Sequence, residues 1–226
     1  MTAIAPLHFA DPREAAGLAA FLRRLLHYDR AAAVRIQAGG GALAVFGRPP
    51  SFEVIAIRTA RLVDDTDLDV TVSAGELLEG IEESAGKAVV PDSVTGPPWA
   101  GVLPPRGGWR PVTGLPPVAG MRGAVGAAVT EFRTRDEALP EEHRTRAERD
   151  RIGREIWSRT LGDTGLPLRA VHAAQSLGFL PDLPDADLPV ALYAAGPWLR
   201  LRTAYGSVAL RTVATAFPVT PGHPAR

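Results

Sequence analysis

Val34-Arg35-Ile36-Gln37-Ala38-Gly39-Gly40-Gly41-Ala42-Leu43-Ala44-Val45-Phe46 decides the fold class of this chain. Val34 and Ile36 alternate with Arg35 and Gln37, the period-two pattern of a strand with one wet face. Three glycines then permit a tight turn before the apolar run Leu43 to Phe46. The stretch predicts a β-hairpin.

Outward from it, Asp11-Pro12-Arg13-Glu14 supplies a cap, a proline at the first helical position and an acid three residues after the cap. A helix is predicted from about Pro12 to Tyr28, with Leu18, Leu22, Leu25 and Leu26 turned to a core. Phe52 to Ala60 and Leu68 to Val72 read as two further strands, and Ser73-Ala74-Gly75-Glu76 opens a second helix with a capping box. Residues 1–88 therefore read as an α+β subdomain: an N-terminal helix, a four-stranded antiparallel sheet and a helix.

Residues 89–119 hold the pairs Pro97-Pro98, Pro104-Pro105 and Pro116-Pro117, a composition that forbids regular helix and central strand. A free linker would rarely carry two large apolar rings, so Trp99 and Trp109 are expected to anchor this arm on a folded surface. Residues 120–217 read as a mainly helical half ending in a β-hairpin. Met121, Val125, Val129 and Phe132 fall at helical spacing. Glu141 to Leu161 reads as a charged helix, with Glu142/Arg146, Arg144/Glu148 and Arg151/Glu155 at the favourable four-residue spacing. Pro167 opens a helix to about Leu177, and Trp198 to Thr203 and Val208 to Val213 flank the turn Ala204-Tyr205-Gly206-Ser207. Residues 218–226 are expected to form a loose tail. The predicted class is α+β.

The 25 basic and 25 acidic residues cancel, so no whole-molecule field gathers a polyanion or an anionic membrane surface. Absence of cysteine removes disulfides, thiolate nucleophiles and sulfur-ligated metals, and points to a reducing compartment. No apolar run approaches the roughly 18 residues of a spanning helix, and Met1 to Pro6 has no basic stretch leading into one. The expected location is the cytoplasm, with no membrane partner.

The glycines of the first hairpin can be aligned to the dinucleotide-binding fingerprint, with Ala44 at its third small position. That fingerprint seats a pyrophosphate on a following helix, and Leu43 to Phe46 before Pro49-Pro50 leaves no room for one. Asp65, Asp67, Asp69 and Glu76 match the acidic positions of an EF-hand calcium loop, a resemblance confined to that segment. Val70 stands where such a loop needs glycine, and a β-branched residue resists positive φ. Neither cofactor nor metal is expected.

Arg169, His172 and Gln175 form a polar stripe that could contact DNA if residues 141–179 acted as a helix-turn-helix-like unit. Arg200, Arg202 and Arg211 could hold a phosphate or carboxylate on one face of the C-terminal hairpin. For catalysis, His27, Asp29 and His172 form no recognisable constellation, and no nucleophile elbow, Walker loop or His-Glu-x-x-His motif is present. The reading leans to a non-catalytic interaction or regulatory protein whose partner is another protein or a second copy of itself. A DNA-binding regulator, and a small-molecule enzyme or sensor with an anion site near the C-terminal hairpin, are the alternatives.

Overall fold

The computed structural model describes residues 6–181 and 189–212, so the tail expected over residues 218–226 lies outside the described residues. In chain order, β1 (Leu7–His8), α1 (Pro12–Tyr28), β2 (Ala33–Gly39), β3 (Ala42–Gly47), β4 (Ile55–Arg61), β5 (Leu68–Ser73), α2 (Ala74–Glu79), β6 (Ile81–Glu82) and β7 (Lys87–Ala88) precede the arm. After it come β8 (Arg110–Val112), α3 (Val118–Glu137), α4 (Arg146–Ser158), α5 (Leu168–Ser176), β9 (Ala191–Ala195), β10 (Trp198–Arg202) and β11 (Ser207–Arg211). The mixture of helix and sheet agrees with the α+β reading.

The sheet does not stop at four strands. It has eight, in the order β5-β2-β3-β4-β11-β10-β9-β8, every neighbouring pair antiparallel, and a small second sheet runs β1-β7-β6. The four expected strands form one half of the large sheet. The C-terminal hairpin joins it through Ser207↔Ile57, Val208↔Ala56 and Ala209↔Ile55, and β9 and β8 extend it further. Each hairpin could be inferred from its own alternation, but this pairing joins segments distant in sequence.

Local chemistry fixes most helix starts. Asp11 accepts from the amide of Arg13 at 2.8 Å, and Ser73 accepts from Glu76, so both caps sit where the sequence placed them. The charged helix is shorter than expected. A 3-10 turn over Glu141–His143 precedes it, and the Thr145 hydroxyl accepts from the amide of Glu148 to start α4 afresh. Of the expected ion pairs, Arg151 reaches Glu155 at 3.8 Å and also Glu148, whereas Arg144 turns back to the carbonyls of Glu137 and Leu139.

Alternation gives the sheet two different faces. Val34, Ile36, Leu43, Val45, Val72, Leu201, Val208 and Leu210 point into one large core with Leu18, Leu22 and Leu25 of α1 and with buried residues of α3, α4 and α5. That core draws from both the N-terminal and the C-terminal segments. The other face carries a smaller apolar cluster of Phe46, Ile55, Ile57, Trp198 and Ala209, and among the described residues no α-helix packs against it. Each large side chain so buried is worth about 1.5–3 kcal/mol relative to exposure, so this face needs a cover. The proline-rich arm supplies it.

Candidate ligand groove under the arm

The arm lies against the helix-free face. Ser93 bridges to Val72, and the amide of Val94 donates to the carbonyl of Thr71, which starts the arm along the edge strand β5. A 3-10 turn over Pro98–Gly101 then brings Trp99 down beside the small cluster, with Leu103 and Trp109 after it. Arg35 fastens this turn: its Nε and Nη2 donate to the two carboxylate oxygens of Asp69 at 2.8 and 2.9 Å, and its Nη1 donates to the carbonyl of Ala100 at 2.6 Å. The hydrogen bond from Arg35 holds the Asp69 carboxyl below its usual range. The arm returns to the sheet as β8, paired with β9.

Trp99 and Trp109, singled out as anchors, thus both stand against the small cluster, half-buried. Trp109 does more than fill space. Its indole N–H donates to the carbonyl of Pro105 at 2.9 Å, closing a loop that presents Arg106. Its ring covers the Arg200 guanidinium, with the central carbon 5.8 Å from the ring centroid.

Arg200, Arg202 and Arg211 share this sheet face, but they do not form a uniform ladder. Arg211 lies over Trp198 at 6.0 Å, Arg202 is exposed, and Arg200 is half-buried beneath Trp109. Arg200 Nε donates to Ser207 Oγ at 2.9 Å, and among the described residues no carboxylate pairs with it. Burial, and after it the charge of Arg202, lower its pKa from the ordinary value. The fold has therefore fixed a cation in place without a counter-charge among the described residues.

That cation opens onto a groove of about 360 Å³ between the sheet and the arm. Gln37, Thr59 and Arg106 are its other polar residues; Ala44, Phe46, Ile57, Pro104 and Pro105 give apolar walls. Gln37 spends an amide N–H on Asp69 at 3.1 Å. Neither Gln37, Thr59 nor Arg106 stood out in the sequence. Gln37 and Thr59 occupy outward positions of alternating strands, but only the return of the arm makes those positions face anything.

The other candidates are placed differently. Asp69 is engaged with Arg35 on β5, Asp65 accepts from the amide of Gly41, and Glu76 lies in the first turn of α2. Among the described residues no three histidine or acidic side chains gather as a metal site, so Asp65, Asp67, Asp69 and Glu76 are not brought together.

On α5, His172 is held between rings, stacked on Trp157 at 4.4 Å and edge-on to Phe52 at 5.0 Å. Burial lowers its pKa from the usual value. Arg169 faces Glu53 at 3.5 Å, and Gln175 Oε1 is buried without a hydrogen bond among the described residues. All three side chains are half-buried on α5 rather than exposed. Many arginines of the neighbouring segment are also occupied: Arg149 with Asp136, Arg151 with Glu148, and Arg159 with Glu131. Arg135 grips Glu155 through two hydrogen bonds and holds its carboxyl down to about 2. Among the described residues no helix is long and apolar enough to cross a membrane.

Residues 2–101 match the family model of a domain of unknown function, DUF8010, and residues 104–215 match that of a second, DUF8185. No curated protein matches the chain. The two matches meet within the arm, so Gln37 and Thr59 come from the first and Arg106 and Arg200 from the second.

Proposed function

We propose that this chain is a non-catalytic regulatory protein that responds to a small anion bound between the open sheet face and the proline-rich arm. One observation carries the reading: Arg200 is half-buried, aligned by Ser207 and Trp109, opens onto a groove, and has no carboxylate partner among the described residues. A cation in that setting is stabilised by an anion that enters with its own hydrogen-bond acceptors. Among the described residues the groove brings no nucleophile and acid-base pair together around Arg200, and the reading is accordingly one of binding. Because Arg106 lies on the arm and Arg200 on the sheet, an occupant touching both would couple its own presence to the position of the arm. The response would pass to another protein or to a second copy of the chain.

Native mass spectrometry of protein recovered gently from its own cells tests this directly. The expected spectrum shows an added small mass that is lost in an Arg200→Ala, Arg202→Ala variant. Thermal unfolding with added anions gives the second measurement, since a ligand of the native state raises Tm by mass action. A Tm that no anion raises, or that rises equally in the double variant, would remove the groove from consideration.

A further inference from the structure

The anion-site reading leaves the ligand open, and the groove itself narrows it. We infer that it takes a monocarboxylic acid with an apolar body, the carboxylate against the outer edge of Arg200 and the body against Phe46, Ile57 and Pro104. This inference rests on the proposed function above.

Four features lead there. The Arg200 Nε is committed to Ser207 and one face of its guanidinium to Trp109, which among the described residues leaves the two terminal nitrogens as a coplanar pair of donors. A carboxylate matches such a pair with its two oxygens. Beyond Arg200 the walls are mostly hydrocarbon, and at about 360 Å³ the space lies toward the small end of ligand pockets, which run from roughly 300 to 1,000 Å³. An inorganic anion would leave that apolar surface uncovered.

The rim also disfavours a second negative group. Gln37 donates its N–H to Asp69, so its carbonyl oxygen remains as an acceptor, and the Asp69 carboxylate lies just behind it. Arg35 already compensates Asp69 and turns its third guanidinium nitrogen to the carbonyl of Ala100. Among the described lining residues Arg106 is the one cation besides Arg200, and it adds positive charge that steers a carboxylate in. A ligand hydroxyl or amide N–H, by contrast, would find its acceptor in Gln37.

The test is calorimetric titration of the full chain with octanoate and benzoate, their neutral amides octanamide and benzamide, and inorganic phosphate. Trp fluorescence is followed in parallel, because Trp109 lies on Arg200. At least one carboxylate should bind with a change in fluorescence, and its amide and phosphate should bind about tenfold more weakly or less, the worth of a paired charge-assisted contact. Arg200→Gln should lose about tenfold, and Arg200→Lys should recover little of it because an ammonium cannot offer the coplanar pair. Ala44→Phe, which fills the groove from an incompletely buried position, should abolish carboxylate binding and covers the case in which the Arg200 variants do not fold.

Equal binding of acid and amide would overturn the carboxylate assignment. Arg200-dependent binding of phosphate without either carboxylate would overturn it while leaving the anion-site reading standing. Binding of none of these anions, with Trp fluorescence unmoved, would take down both.

Discussion

Gly206 has φ of +156°, and a Cβ built on it would come within 2.5–2.7 Å of the Phe179 ring. That ring is buried and stacked on Phe21 at 5.7 Å, so it cannot swing away cheaply. Gly206→Ala should therefore cost about 3 kcal/mol, combining overpacking with backbone strain, and a urea titration measures it. A loss below about 1 kcal/mol would show that the ring yields. His172 makes a pH prediction. Its folded pKa is lowered by burial, so the unfolded chain takes up a proton near pH 6.5 before the folded protein does. The contribution to stability is complete above about pH 6.5 and is lost as pH falls through that value toward the folded pKa. Between about pH 7.5 and pH 5 the wild type should lose more stability than His172→Phe, whose ring cannot titrate. Parallel stability curves would refute this. At this scale the sequence was informative about types and poor about partners. The need for Gly206 in a turn and the alternation of Arg200 with Leu199 and Leu201 could be read directly. That Ser207 and Trp109 would fix Arg200 could not, because the ring arrives from the arm.

Among the elements, the arm has the most to reveal. It is held by a few side-chain contacts and short strand pairings, with Arg35 joining the turn at Ala100 to Asp69 on β5. Arg35→Ala removes all three bonds, so amide hydrogen exchange across residues 97–103 should quicken by about tenfold or more while β2 and β3 retain their protection. Uniform quickening over the sheet would mean that Arg35 supports the whole fold. Prolines announced the arm as irregular, and its two tryptophans announced that it docks somewhere. They carried no address, since neither periodicity nor capping signals which sheet face lacks a helix. The same limit applies to β9 and to β8, whose short Ala191–Ala195 and Arg110–Val112 segments become strands by pairing with neighbours already in place. By contrast α1 and α2 carry their own caps, and both were legible to their first residue.

For the whole molecule, the decisive contact is the pairing of β4 with β11. It places the first and second halves of the chain in one sheet and over one apolar core. Urea unfolding should thus be a single transition, coincident by Trp fluorescence and by circular dichroism. Val208→Asp, which puts a charge into this seam, should lower both signals together and destabilise by about 3 kcal/mol or more. Two separated transitions would show that the halves unfold independently.

The same seam sets a problem of timing at the ribosome. Arg58 on β4 donates to the carbonyl of Tyr205, 147 residues further along the chain. At synthesis rates of roughly 5–20 residues per second, β4 emerges on the order of ten seconds before the strand that will lie beside it. Through that interval it presents an open hydrogen-bonding edge, a template for any other extended segment nearby. Successful birth of this protein depends on keeping that edge vacant until β11 has been made.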